Sequence, residues 1–134
     1  MATLLEHGGT VELWGGWTVT LPPSYHERNP DGSWSSWGAD WAIDVHIIEV
    51  GGNANGEPVP AEQMLGDKRT INTRGDGWVG EVALLKEMDS GREVFRLAAN
   101  LAAINTSFSF WVSYFDETQR PFAEGLVRGI AHVV

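Results

Sequence analysis

Polar and apolar residues alternate along much of this chain with a period of two, the pattern that half-buried β-strands produce. The clearest alternating segment is 41–50. One predicted face of this segment is apolar and the other is mostly polar: the first carries Trp41, Ile43, Val45 and Ile47, and the second carries Ala42, Asp44, His46 and Ile48. Further strands are predicted at 10–14, 17–21, 33–37, 78–88, 92–103 and 106–115.

Turn-forming residues separate these predicted strands. Gly15 and Gly16 form a two-residue hairpin signal, and a second hairpin turn is predicted at 89–91. Residues 26–32 consist of turn-forming types and are predicted to be a turn. Segment 97–103 also has a high helix propensity, but its position between two strand-like segments favours a strand.

Two segments follow helical patterns instead. Residues 60–65 begin with a proline and precede a glycine, which favours a short helix. After Asp116, the apolar residues Phe122, Leu126 and Ile130 recur every four positions, as on the core-facing side of a helix. We therefore predict an α+β fold: an antiparallel β-sheet of about six strands, built of hairpins and a meander, with a C-terminal helix and one short helix packed on it.

The composition fits a single α+β domain over residues 1–134 and excludes several classes of function. The chain is 43% hydrophobic and only 20% charged, so it can bury one core. Its net charge of −9 argues against nucleic-acid binding, which needs a basic surface. The chain has no cysteine, which excludes disulfides, thiolate metal ligands and a cysteine nucleophile.

The negative charge is concentrated in the first half of the chain. Residues 1–67 contain ten acidic residues and one basic residue, Arg28, together with five of the seven tryptophans. Residues 68–134 contain eight acidic and eight basic residues. An acidic, aromatic-rich surface suits a basic protein partner, although a solvated acidic face that keeps the protein in solution produces the same pattern.

The start of the chain carries no targeting signal, and no segment has the pattern of a membrane span. The first residues lack the basic and apolar regions of a signal peptide, and no segment approaches the roughly 18 consecutive apolar residues that span a bilayer. We therefore predict a cytoplasmic protein that does not bind membranes. The sequence leaves the oligomeric state open and is compatible with a homodimer.

Motifs for catalysis and cofactor binding are absent from the sequence. The glycine-rich segment 51–56 lacks the spacing of a phosphate-binding loop, and no Gly-x-Ser-x-Gly elbow occurs. Asp44 and His46 are the only close pair of candidate metal ligands on one strand face, too few for a metal site. We predict no catalytic residue, metal or cofactor, and a hydrolytic site on Asp40, Asp44 and His46 is the least favoured alternative.

Three tryptophans within segment 34–41 are the strongest local anomaly of the sequence. Tryptophan combines a large apolar face with one N–H donor, which suits binding surfaces and sugar sites, but the same rings can also fill the core of a small protein. With the neighbouring polar residues, they form the candidate ligand- or partner-binding set: Trp34, Trp37, Asp40, Trp41, Asp44 and His46.

Two segments resemble a known family. Segment 16–25 reads Gly-Trp-Thr-Val-Thr-Leu-Pro-Pro-Ser-Tyr, a tryptophan-containing strand that runs into a Leu-Pro turn. Near the end, a strand that begins at Trp111 leads through an acidic turn at Asp116 to a helix that reaches Ile130. This arrangement resembles the PsbP-like α/β/α sandwich superfamily, which includes photosystem-associated lumenal proteins, a Ran GTPase-binding import factor and many bacterial proteins.

The resemblance implies a bacterial, non-enzymatic adaptor or binding domain. No site residue of the superfamily carries over, because none of its functional motifs matches this chain. We therefore predict a domain that binds a protein through its acidic, tryptophan-rich first half. The alternative is a small-ligand or carbohydrate-binding domain that uses Trp34, Trp37 and Trp41.

Overall fold

Two antiparallel β-sheets and two short helices make up the protein in a computed structural model, which describes residues 2–133. The strands, in chain order, are β1 (Thr3–Leu5), β2 (Gly9–Glu12), β3 (Trp17–Leu21), β4 (Ser24–Arg28), β5 (Trp34–Trp37), β6 (Trp41–Glu49), β7 (Thr73–Gly75), β8 (Trp78–Asp89), β9 (Arg92–Ala103), β10 (Thr106–Tyr114) and β11 (Ala131–His132). The helices are α1 (Ala61–Leu65) and α2 (Arg120–Arg128), and a 3-10 turn over Glu117–Gln119 precedes α2.

The larger sheet has eight strands and the smaller sheet has three. The strand order is β1-β4-β5-β6-β10-β9-β8-β7 in the larger sheet and β11-β3-β2 in the smaller one. The long strands β6, β10, β9 and β8 form the centre and one side of the larger sheet, where their ladders span nine to eleven residue pairs. Strand β3 and helix α2 share one hydrophobic core with one face of the larger sheet, which we call the inner face.

The core lies between β3, α2 and the inner face, and it is filled by the apolar members of the alternating pattern. Trp17 of β3 is fully buried, and its ring stacks on Phe108 of β10 with centroids 4.7 Å apart. The Trp17 indole N–H donates a hydrogen bond of 2.9 Å to the Thr106 hydroxyl. The Trp78 indole likewise donates to the Ile130 carbonyl at 2.8 Å, so both buried donors have a partner.

The opposite face of the larger sheet, the outer face, is covered only in part. Helix α1 contacts β8, β9 and β10 and buries its own Leu65. Ala98 and Ala102 alternate with the core residues of β9 and are also buried, because small side chains let a helix approach the sheet closely. Farther along the outer face, Asp44 and His46 of β6 are exposed. The uncovered part of this face therefore borders the α1 segment, by which we mean helix α1 and the loop that follows it as far as Arg69.

The fold class predicted from the sequence is wrong. The protein is a mostly antiparallel β structure with eleven strands in two sheets and two short helices, instead of an α+β fold with about six strands. The predicted number of strands was too low because β1, β7 and β11 have only two or three residues each. A segment of that length is too short to show an alternating pattern. Such short strands depend on pairing with a longer neighbour.

Residues 26–28 also differ from the prediction, because they belong to strand β4 and not to a turn. Strand β4 pairs with β5 through backbone hydrogen bonds, for which the polarity of the side chains is not decisive. The turn is confined to the following residues, where Asn29 N–H donates to the Ser33 carbonyl at 2.8 Å. The hairpins predicted around Gly15-Gly16 and Ser90-Gly91 are confirmed.

Candidate functional site

A cavity of about 450 Å³ opens on the outer face beside the α1 segment. It is lined by one aromatic, two charged and three other polar side chains: Asp44, His46, Arg69, Asn100, Ser109 and Trp111. The side chain of Trp111 is 40% exposed, although large aromatic residues are usually much more buried. Ligand sites combine aromatic side chains with convergent polar groups, and this cavity has both, although its lining is more polar than usual.

The strand register brings these residues together. Trp111 of β10 lies directly opposite Asp44 of β6, and Ser109 lies directly opposite His46. On the other side of β10, Ser109 lies opposite Asn100 of β9. Directly opposed side chains in antiparallel strands lie on the same face within about 5 Å of each other, so the polar cluster follows from the pairing.

Hydrogen bonds orient most of the polar groups in the cavity. The Ser35 hydroxyl donates to Asp44 Oδ1 at 3.1 Å, and Asn29 Nδ2 donates to Ser35 Oγ at 2.8 Å. The Ser109 hydroxyl donates to Asn100 Oδ1 at 3.3 Å. These contacts hold Asp44 and Asn100 in place before any ligand arrives, which lowers the entropy cost of binding.

Arg69 reaches the cavity from the loop that follows α1. Its guanidinium lies 3.5 Å from Glu81 Oε1, and Glu81 Oε2 accepts a hydrogen bond of 2.7 Å from the Thr70 N–H. Glu81 therefore ties this loop to the edge of the sheet. The pair is partly exposed, so it contributes more to positioning Arg69 than to stability.

The turn before β5 is closed by hydrogen bonds between Asp31 and Ser33. The Ser33 hydroxyl donates to Asp31 Oδ1 at 2.6 Å and the Ser33 N–H donates at 3.0 Å. These hydrogen bonds lower the pKa of Asp31 below its usual value. The same two hydrogen bonds hold the Asp31 carboxylate in the turn before β5.

Asp44 and His46 are the predicted site residues that the structure brings together. They are separated by one residue on β6 and both line the cavity. Trp37 also lies on the outer face, since it pairs with Ala42, but it lies outside the cavity lining. Its ring stacks on Tyr25 with centroids 6.0 Å apart.

The other predicted residues lie elsewhere. Trp34 is only 3% exposed and belongs to the core. Trp41 packs against the same core, with its ring 5.5 Å from Phe122 of α2. Asp40 is exposed in the turn before β6, where its carbonyl accepts a hydrogen bond from Gln119. The three tryptophans therefore form no common platform.

The set of site residues predicted from the sequence does not include Arg69, Asn100, Ser109 and Trp111. A signal for Trp111 was present, because alternation places it on the otherwise serine-rich face of β10. A single tryptophan on a polar strand face has no core to fill there. Arg69 belongs to a local basic cluster with Lys68, but only the packing of α1 and β9 brings Arg69 and Asn100 to the cavity.

The described residues contain neither a cluster of metal ligands nor a helix suited to crossing a membrane. Within residues 2–133, no three histidine, aspartate or glutamate side chains are grouped so that they could bind a metal ion. Over the same range, neither helix has the length and apolar character needed to cross a membrane.

The likeness of this chain to known proteins lies in its fold. No protein-family model matches the chain, and no curated protein matches it. Among solved structures, a protein from Bacteroides thetaiotaomicron VPI-5482 is similar, with a TM-score of 0.71 and 10% sequence identity. The match covers 97% of this chain and 50% of that protein, so the chain spans half of its length. This likeness shows the fold alone.

Proposed function

We propose that this chain is a binding domain for an uncharged polar ligand of the saccharide class, held in the cavity on the outer face. The observation that carries the proposal is the partly exposed ring of Trp111 directly opposite Asp44. An aromatic face packs against the C–H groups of a sugar ring, while neighbouring carboxylate, imidazole, amide and hydroxyl groups bind its hydroxyls.

The charges around the cavity favour an uncharged ligand over an ion. Asp44 and Arg69 bring one charge of each sign into the lining, and Arg69 is already paired with Glu81. The guanidinium of Arg96 lies 5.6 Å from the centroid of Trp111 and adds a cation–π contact at one side of the ring. No excess of one sign is available to hold a phosphate or a metal cation.

The test is a glycan array screen followed by calorimetric titration of the best saccharide with three forms of the protein. We expect Trp111→Ala to weaken binding about thirtyfold, the equivalent of about 2 kcal/mol for a central aromatic contact. Trp37→Ala is the matched control, because Trp37 is a tryptophan on the same face but outside the cavity lining. It should bind like the unmodified chain.

Two results would contradict the proposal. One is the absence of any saccharide ligand from the array at millimolar concentration. The other is a bound saccharide whose affinity is unchanged by Trp111→Ala. Far-ultraviolet circular dichroism of each variant separates loss of binding from loss of folding.

A basic protein partner is the second candidate function. It is favoured by a row of apolar side chains in the acidic half of the chain, in which Leu4 of β1 lies opposite Tyr25 of β4 and Tyr25 lies opposite Trp37 of β5. Leu4 and Tyr25 are exposed, and Trp37 is half-buried. If the protein binds a basic partner, Trp37→Ala becomes the variant that loses binding and Trp111→Ala becomes its control. Capture of the partner would then be lost with Trp37→Ala and with added salt, and kept with Trp111→Ala.

The family, the source and the location of the protein are proposed on the sequence alone. A bacterial member of the PsbP-like superfamily is supported by segments 16–25 and 111–130. A cytoplasmic location is likewise a proposal.

A further inference from the structure

The outward edge of β8 is left open over about half of the strand. Strand β7 pairs only with residues 78–80 of β8. The Asn72 side chain then bonds to both the N–H and the carbonyl of Val82, at 2.9 and 3.0 Å, in place of a neighbouring strand. From residue 83 to residue 89, nothing in the described chain of residues 2–133 pairs with this edge.

The pairing pattern shows which backbone groups are open. Val82 directs its N–H and carbonyl away from β9, towards Asn72. In an antiparallel ladder, alternate residues direct these groups to the same side. Leu84, Lys86 and Met88 therefore present three N–H groups and three carbonyls to the open side.

The open segment is also unusually apolar at its surface. Leu84 is 48% exposed, Leu85 is 40% exposed and Met88 is 67% exposed. A long edge strand with exposed apolar side chains is a template for pairing with another strand. The other outer strands of the two sheets, β1, β7, β2 and β11, have only two to four residues each.

We propose that this edge pairs with the same edge of a second copy of the chain. The two β8 strands would run antiparallel about a twofold axis perpendicular to the sheet, with Lys86 opposite Lys86 of the second copy. Leu84 would then lie opposite Met88 of the second copy, and Met88 opposite Leu84, so that two apolar pairs flank the axis. All three open residues of each chain gain backbone partners in this register.

If the two strands were shifted by one residue in either direction, the pairing of the two β8 edges would be less favourable. A register centred on Leu85 drives Met88 into the position that Asn72 of the second copy occupies beside Val82. A register centred on Glu87 places two glutamates opposite each other and leaves Leu84 facing a turn. In the register centred on Lys86, the two lysines are each compensated by Glu93 of their own chain, whose Oε1 lies 3.2 Å from Lys86 Nζ.

The distribution of charge makes the β8 edge the place where a second copy meets the least repulsion. Two chains of net charge −9 repel each other, and all of the excess charge belongs to residues 1–67. Strands β1, β4, β5 and β6 come from that half, and β8 comes from the neutral half on the other side of the sheet. Pairing through β8 therefore keeps the acidic halves as far apart as the sheet allows.

The symmetry has one consequence that rests on the proposed saccharide function. A twofold axis perpendicular to the sheet leaves both outer faces on the same side of the dimer. Two Trp111 cavities would then be available to one extended saccharide, which raises its apparent affinity through a high effective concentration.

The chain has no cysteine, so a single introduced cysteine is a clean probe of this pairing. We expect Lys86→Cys to form a disulfide-linked dimer under mild oxidation. The reason is that directly opposed hydrogen-bonded residues have Cα atoms about 5.5 Å apart, within the range that a disulfide spans. Leu84→Cys is the matched control on the same strand, because its two copies would be displaced by roughly 13 Å along the strand.

The unmodified chain provides an independent measurement, because it requires no substitution. Its sedimentation mass should rise from that of one chain of 14.7 kDa to twice that value with increasing concentration. A mass that stays at one chain would overturn the proposal and leave the edge for a strand of another protein. A Lys86→Cys variant that does not cross-link, or a Leu84→Cys variant that cross-links equally, would overturn it too. Neither measurement involves Trp111, so failure here is distinct from failure of saccharide binding.

Discussion

Single side chains in this protein are specified by the hydrogen bonds that their burial demands. Trp17 carries a donor into the centre of the core, where an unpaired N–H would be costly. The Thr106 hydroxyl at the start of β10 accepts that hydrogen bond. The polar residue at position 106 is therefore part of the core, although the sequence pattern marks it only as the start of a strand.

Replacing Thr106 by valine tests this role. The two side chains have nearly the same shape, so Thr106→Val chiefly removes the acceptor and leaves the Trp17 N–H buried without a partner. We expect the free energy of unfolding to fall by about 1–3 kcal/mol, measured by urea denaturation. Thr10→Val, at an exposed threonine, should change it by less than about 0.5 kcal/mol. Equal effects of the two substitutions would contradict this account.

At the scale of elements, strands with a complete alternating pattern were predicted well and strands without one were missed. The predicted segments 41–50 and 106–115 correspond to β6 and β10 within one residue. Segment 97–103, whose composition also suits a helix, lies in β9 because pairing with β8 and β10 on both sides outweighs intrinsic propensity. Strands β1 and β7 have no pattern of their own and exist only through their neighbours.

The 3-10 turn that leads into the C-terminal helix begins at a local signal that the sequence does contain. Asp116 accepts hydrogen bonds from the N–H and the hydroxyl of Thr118, at 2.9 and 2.8 Å, and the Gln119 side chain bonds back to the Asp116 N–H. These bonds stabilise the carboxylate, so the pKa of Asp116 is lower in the folded protein than its ordinary value of 3.8.

This lowered pKa predicts a specific pH dependence of stability. The capping contribution is fully present above about pH 3.8 and is lost as the pH falls below that value and through the lower pKa of the folded state. We expect Asp116→Asn to keep the capping hydrogen bonds without titrating. Thermal melts of the two proteins between neutral and acidic pH should therefore diverge below pH 3.8. Parallel curves down to strongly acidic pH would show that Asp116 makes no such contribution.

For the molecule as a whole, most of the structure depends on pairing between distant parts of the chain. Strand β6 pairs with β10, and the chain between them includes β7, β8 and β9 as well as α1. Strand β3 pairs with β11 at the opposite end of the chain. The entropy of closing such long loops has to be overcome before the contacts form.

This topology predicts slow folding for a chain of this size. We expect the main refolding phase to take milliseconds to seconds, as in other β-sheet proteins dominated by distant contacts. Stopped-flow tryptophan fluorescence after dilution from urea measures it, since Trp17 and Trp34 are buried only in the folded core. A main phase in the microsecond range would contradict a fold assembled from distant strands.

The sequence by itself determined the alternation of the long strands, two hairpin turns, the helix stripe and the location of the charge. These features depend on nearest neighbours along the chain, where period and turn chemistry act. Only the tertiary structure decided that Trp34 and Trp41 face the core while Trp111 faces the cavity. Alternation assigns side chains to two faces, but the packing of β3, α2 and α1 decides how much of each face is covered. The sheet edges and the cavity therefore depend on contacts between residues far apart in sequence.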